Sequence, residues 1–313
     1  MTRAIAGRCR PIAPDQTRRV THTPDKAILV TGATSRVGRL VVEELLRVRV
    51  PVRALTRRPD EAALPVDAEV VAGDFSDVAS LDVALQGTRA VFLIWTAAIA
   101  SAPAVIARLA SHSGAPLRRV VFLSSPHPTP HPFFQQPNAL RGVHAGIERM
   151  LAEATLDVAI LRPGIFASNA LHWWAPQIRN GDVVRWPYGA AETAPIDERD
   201  IAAVAARVLL GEPGHADHVL TGPESLSQAE QVRAIGEVIG RPLRFEELSP
   251  DEFRRETAAT WPGAAVEMLL DAWRATLGHS AFVTRAVEEI VGAPARSFHQ
   301  WAADNAGEFV ERG

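Results

Sequence analysis

The chain has 313 residues, of which 47% are hydrophobic and 22% charged, with a formal net charge of −3, which allows one large core or a core plus a smaller lobe. The slightly acidic balance and scattered arginines argue against a nucleic-acid surface, and no apolar run is long enough to cross a bilayer. A single cysteine, Cys9, excludes an internal disulfide framework and a cysteine-based metal site, so a cytoplasmic protein is the simplest expectation.

Met1 to Pro24 is rich in Arg, Pro and Thr and lacks the continuous apolar region of a secretory signal, so residues 1–24 are expected to form a flexible leader. Ala27–Thr31 then reads as a short buried strand that enters a glycine-bearing turn, and Val37–Val48 continues with helical apolar spacing. Strand, tight turn and helix in that order is the context of a dinucleotide fingerprint: glycines admit a pyrophosphate close to the backbone, and the helix N-terminus offers free N–H groups. Gly32 and Gly38 are its outer glycines, and Ser35 stands where a middle glycine is usual. Gly32, Thr34, Ser35, Arg36, Val37 and Gly38 are the expected pyrophosphate-binding residues.

The next strand, Pro51–Thr56, ends in Arg57-Arg58, where an NAD site carries an acidic residue for the ribose hydroxyl. Guanidinium forks suit a 2′-phosphate, and Arg36 is placed to face the same group, so NADP(H) is the expected cofactor. A third strand, Glu69–Ala72, leads into Gly73-Asp74-Phe75. Asp74 and Phe75 are expected at the adenine end, although an Asp at a strand end also serves as a helix cap, a role for which Asp77 competes.

A helix over Asp77–Gln86, a strand over Ala90–Trp95, a helix over Ala102–His112 and a strand over Arg119–Ser124 follow. Trp95 would then sit on the nicotinamide side of the crevice. Ser125–Pro132 alternates proline with His127 and His131 and reads as a loop over the active site, with His127 toward substrate. It has no carboxylate or cysteine at ligand spacing, so no metal is expected. The helix Ala139–Glu153 places His144 and Glu148 one turn apart. His144 is a candidate proton donor whose pKa Glu148 would raise; a surface His–Glu pair that merely shapes the pocket is the plainer alternative.

After a strand over Val158–Arg162 and Pro163 the pattern changes. Helices over Ser168–Asn180, Ile201–Leu210 and Gln228–Ile239 alternate with strands over His218–Thr221 and Pro242–Glu246, and helices dominate from Pro250 onward. His172, Trp173 and Trp174 either sandwich a planar substrate or pack lobe against lobe; packing is expected for Trp261, Trp273 and Trp301. The strand–helix alternation implies an α/β fold, a doubly wound Rossmann-type parallel sheet with a smaller α-rich C-terminal lobe. The expected division is a nucleotide-binding domain over 25–168 and a substrate-binding lobe over 169–313, in one continuous structural unit.

Several of these segments resemble the atypical short-chain dehydrogenase/reductases, specifically the NmrA-like group. They are Val30-Thr31-Gly32-Ala33-Thr34, Arg57-Arg58, Gly73-Asp74-Phe75, Val121-Phe122-Leu123-Ser124-Ser125, His144-Ala145-Gly146-Ile147-Glu148, Leu161-Arg162-Pro163-Gly164 with Asn169, and Pro195–Ile201. The likeness runs from about Lys26 to about Arg244. It implies NADPH-dependent reduction of quinones, ketones or polyketide intermediates, or an NADP-sensing regulator without turnover. Catalytic members of the wider superfamily use a Tyr and a Lys four positions later on the helix after the fifth strand. Here the only tyrosine is Tyr188 and the only lysine is Lys26, and that helix carries His144 and Glu148 instead. The resemblance places Ser124 and Ser125 where a serine polarises the substrate carbonyl.

The resulting expectation is an NADPH-dependent reductase of a planar aromatic ketone or quinone that works without a Tyr–Lys pair. Ser124, Ser125 and His144 are the catalytic candidates. Trp95, Ser124 and Pro163 join the cofactor site, and Trp95, His127, His172, Trp173 and Trp174 the substrate site. A non-catalytic regulator, or an epimerase, isomerase or dehydratase that retains NADP, stays open, as does the choice between monomer and homodimer.

Overall fold

The computed structural model describes residues 27–111, 117, 119–211 and 216–310; the expected leader, Cys9 and Lys26 lie outside them. Seven parallel strands form the central sheet: β1 (Ala27–Val30), β2 (Val52–Thr56), β3 (Glu69–Ala72), β4 (Thr88–Leu93), β5 (Arg119–Leu123), β6 (Val158–Pro163) and, after two short strands of the second lobe, β9 (Ala216–Leu220). Their order is β3-β2-β1-β4-β5-β6-β9. In register, Val30 lies between Ala54 and Phe92. The order reverses between β1 and β4, and the strand ends there open a crevice of the kind in which open α/β sheets bind ligands.

Helices cover both faces. On one, α1 (Arg36–Arg47) buries Val37, Val41, Val42 and Leu45, a helical stripe that packs against the sheet and against α8 (Glu198–Leu210). The other face is covered by α2 (Leu81–Leu85), α3 (Ala102–Ala110) and α5 (Ala139–Glu153). A short α4 (Pro132–Gln135) lies in the loop before α5. The continuous apolar runs of β1, β4 and β5 follow from this two-sided burial.

The second lobe has its own core around Trp174, Trp186, Trp273 and Trp301. It is built from α6 (Asn169–Trp173), α7 (Ala175–Asn180), β7 (Val183–Pro187), β8 (Glu192–Thr193), β10 (Leu226–Ser227), α9 (Gln228–Val238), β11 (Arg244–Leu248), α10 (Pro250–Thr257), α11 (Gly263–Thr276), α13 (Phe298–Asp304) and α14 (Ala306–Val310). The helix expected over Ser168–Asn180 breaks at Trp174 because Pro176, near the start of α7, has no N–H to continue the ladder. β7 pairs in parallel with β11 and was not expected.

The lobes are interleaved. β9, expected as an element of the C-terminal lobe, pairs with β6 as the seventh strand of the sheet. α8 and α12 (Ala286–Val291) also pack on the sheet's core. The division expected at 168/169 therefore does not separate two contiguous stretches of chain.

Candidate active site

The turn after β1 is fixed by close backbone packing. Thr31 Oγ1 accepts from the Ile94 N–H at 2.8 Å and ties the end of β1 to that of β4. Gly32 has a φ of +58°, and a Cβ there would stand 3.0 Å from Ile94 Cβ. A Cβ on Gly38 would fall 2.2 Å from the Gly32 carbonyl oxygen, so only glycine lets the first turn of α1 press against the loop. Ser35 caps α1, its Oγ accepting from the Gly38 N–H at 3.1 Å. Among the described residues its hydroxyl proton has no acceptor.

Beside this turn lies a polar cavity of about 260 Å³, lined by Thr31, Gly32, Thr34, Ser35, Leu55, Thr56, Arg57, Arg58, Gly73, Asp74, Phe75 and Thr96. The ends of β1, β2 and β3 thus bring together most of the expected cofactor residues. Arg58 pairs with Glu61 at 2.6 Å. Arg57 is exposed, and among the described residues it has no carboxylate within 4.0 Å. Asp74 Oδ1 accepts from the Ser76 N–H at 2.8 Å; that bond first, and more weakly the charge of Arg57, holds its carboxyl below the usual range.

Arg36, Val37, Gly38, Trp95, Ser124 and Pro163, also expected at the cofactor, do not line this cavity, and Ser124 and Pro163 line the second cavity described below. Arg36 turns away from the cavity: it donates to Asn305 Oδ1 at 2.8 Å and lies 3.7 Å from the carboxylate of Glu198. Glu198 is 1% exposed, and a buried carboxylate demands a cation. Trp95 follows β4 rather than ending it and stacks on Phe75 with ring centroids 4.9 Å apart. Its indole N–H donates to the Ala97 carbonyl at 2.6 Å, so it supports the wall and lines neither cavity. Val37 and Gly38 are buried beneath the turn.

A second cavity, of about 270 Å³, opens at the ends of β5 and β6. Ser124, Ser125, His127, Arg141, His144 and Pro163 line it, with apolar walls from Phe133, Phe134, Ile165, Phe166, Met268 and Leu269. The Pro-rich loop and α4 form one side, as the loop reading anticipates. The second lobe contributes α11 through Met268, Leu269 and Ala272, residues that carry no local signal for the site.

Under this cavity runs a buried ionic network. Glu148 accepts from Arg162 Nη1 at 2.6 Å and Nη2 at 2.9 Å, and also from the Ser124 hydroxyl. Arg162, 4% exposed, also pairs with Asp217 at 2.6 and 2.9 Å and donates to the Ser125 carbonyl at 3.1 Å. His127 Nε2 stands 3.7 Å from Glu148, and His127 Nδ1 is 3.4 Å from Ser125 Oγ.

The expected His144–Glu148 pair is not formed, because Arg162 and Ser124 take the carboxylate. Burial pushes the His144 pKa down, outweighing the opposing pull of Glu148, so the expected upward shift is reversed. Its Nδ1 is buried without a partner among the described residues, and its ring meets Phe122 edge-on at 5.8 Å. His127 is likewise shifted down, first by burial.

His172, Trp173 and Trp174 do not reach the cavity. Trp174 is fully buried, Trp173 packs against Trp186 and Trp273 at 6.1 and 5.5 Å, and His172 is exposed. The packing alternative holds for Trp173 and Trp174, since indoles of this size are most stable in the lobe's core, whereas exposed His172 neither packs there nor lines the cavity. His131 bonds to the Ser280 carbonyl at 3.0 Å. Among the described residues no group of three or more His, Cys, Asp or Glu gathers to hold a metal, and no helix is long and apolar enough to cross a membrane.

A glycine cradle, a polar cavity with an unpaired arginine and an apolar cavity along the same sheet edge define an α/β dinucleotide-binding protein with room for a second, apolar molecule. A family described as NAD(P)H-binding matches residues 32–212, and the chain belongs to it. It is 38% identical over 290 residues to a (4-alkanoyl-5-oxo-2,5-dihydrofuran-3-yl)methyl phosphate reductase of Streptomyces griseus, covering 90% of this chain and 99% of that protein. It is 27% identical over 289 residues to an NAD(P)H azoreductase of Xenophilus azovorans, covering 90% and 99%. Among solved structures it is similar to an NADPH-dependent quinone oxidoreductase from Escherichia coli, with a TM-score of 0.73 at 25% identity over 88% of this chain and 98% of that one. The chain is an NAD(P)H-dependent oxidoreductase of the atypical, NmrA-like short-chain type.

Proposed function

We propose that the protein uses NADPH to reduce a carbonyl of a planar, conjugated small molecule, a quinone or aromatic or polyketide-type ketone, in the cytoplasm. The observation that carries this reading is the apolar cavity at the ends of β5 and β6, where aromatic walls meet Ser125, His127 and His144. Its reductase relatives support it. Gly32, Thr34, Ser35, Arg57, Arg58 and Asp74 would hold the cofactor, which supplies a hydride when bound.

The remaining chemistry belongs to the chain. Phe133, Phe134 and Phe166 would orient a flat ring and exclude water. Ser124 is committed to Glu148 and cannot donate to a carbonyl in this arrangement, so it is a positioning residue. The Ser125 hydroxyl and the N–H groups of neutral His127 and His144 are the donors left to polarise the carbonyl oxygen and pass it a proton.

The test is NADPH consumption with a panel of quinones and aromatic ketones, quantifying reduced product. One product per NADPH is expected. Cofactor binding without consumption across the panel would refute the reading.

A further inference from the structure

We propose that Arg141 selects substrates carrying an anionic substituent of the phosphate or sulfonate type and holds that group at the rim of the apolar cavity. This rests on the reductase reading above and adds to it the charge of the molecule reduced.

The cavity lining contains no Asp or Glu. Arg141, near the start of α5, is one of the lining residues. Its guanidinium makes one long contact, Nη1 to the Gln135 carbonyl at 3.4 Å, and among the described residues no carboxylate lies within 4.0 Å of it. Many arginines of the chain are engaged by carboxylates, as Arg53 is by Glu69, Arg119 by Asp157 and Arg254 by Glu267. Glu148, the carboxylate beneath this cavity, is already bound by both terminal nitrogens of Arg162 and by the Ser124 hydroxyl. Burial first holds the His127 pKa down, and the charges of Arg162 and then Arg141 add to it, which places Arg141 and His127 in one electrostatic neighbourhood.

A cation beside aromatic walls, without a counter-ion, leaves a site that is apolar at its centre and positive at one edge. A planar guanidinium offers two parallel N–H donors that match a phosphate or sulfonate face, and the low-dielectric walls strengthen that contact. The matching ligand is a flat ring with an anionic arm: the ring enters between Phe133, Phe134 and Phe166, and the arm meets Arg141.

The experiment uses the full chain and two variants, Arg141→Gln and Arg141→Lys. Turnover is compared between naphthoquinone and its ring-sulfonated derivative at saturating NADPH. Calorimetry compares naphthyl phosphate with naphthol on protein saturated with NADP⁺, which keeps the phosphate probe out of the nucleotide cavity. Arg141→Gln should raise KM for the sulfonated quinone about tenfold or more, leave naphthoquinone within about twofold, and weaken naphthyl phosphate by a similar factor without affecting naphthol; Arg141→Lys should recover part of each loss. Unchanged naphthyl phosphate affinity in Arg141→Gln, or equal losses for the charged and neutral members of each pair, would overturn the assignment. Arg141-dependent binding of naphthyl phosphate with no turnover of either quinone would sustain the anion site while removing the reductase reading.

Discussion

Replacing Arg57 by alanine should separate the two coenzymes. The two arginines at the end of β2 are unequal: Arg58 is held by Glu61 at 2.6 Å, whereas Arg57 has no such partner among the described residues. A charge-assisted hydrogen bond to a phosphate is worth roughly 1.5–3 kcal/mol. With a central value of about 2 kcal/mol, Arg57→Ala should raise KM for NADPH roughly 30-fold and leave NADH within about twofold. Arg58→Ala should cost only about 0.5–1 kcal/mol, two- to fivefold, because its charge is already shared in an exposed ion pair. Steady-state kinetics with each coenzyme varied at fixed quinone measures both, and added salt should shrink the Arg57 effect because the side chain is exposed. Equal losses for NADPH and NADH, or a larger loss at Arg58, would refute the assignment.

Gly38→Ala should cost more than about 2 kcal/mol or abolish folding, since the new methyl meets the Gly32 carbonyl; urea unfolding should show Gly142→Ala, in open space on α5, gaining about 0.5–1 kcal/mol. Glu148→Gln removes one ionic partner of buried Arg162 and should lower stability by about 3 kcal/mol, while Ser124→Ala should cost about 1 kcal/mol and lower kcat only modestly. Burial holds the folded-state pKa values of His127 and His144 below their unfolded value near 6.5, so the unfolded chain binds more protons as pH falls. The stability they contribute is complete above about pH 6.5 and lost below it; urea titrations between about pH 7 and pH 5 should show a shallower decline in His144→Asn than in the parent chain.

Local pattern carried the sheet and the phosphate turn, because both depend on contiguous residues. β3 and α5 fall on their expected residues, β1, β2, β5 and β6 shift by one residue at one end, and β4 lies two residues earlier than expected at both ends. The glycine turn was legible for the same reason: the close approach of Gly38 to Gly32 lies within one short segment. Long-range choices were not legible. Arg36 could be placed near a phosphate from spacing alone, but the buried carboxylate that captures it, Glu198, lies 162 positions further along. Glu148 faced the same competition, as Arg162 and Ser124 outbid His144 for its oxygens. The aromatic pair before α7 was ambiguous because a sequence shows that tryptophans are large, not which face of a lobe they fill. Phe133 and Phe134 carried a usable signal beside the Pro-rich loop, whereas α11 gave none.

The link from Arg36 to Asn305 spans 269 residues, and α1 packs against the sheet on one side and α8 on another. A ribosome making this chain releases the phosphate turn well before Glu198 and Asn305, the partners of Arg36. The turn is thus made early and locked late, and the side of α1 that meets α8 stays uncovered until that helix is made. Shortening the chain just before Asn305 would strip a brace from a turn at the opposite end of the sequence.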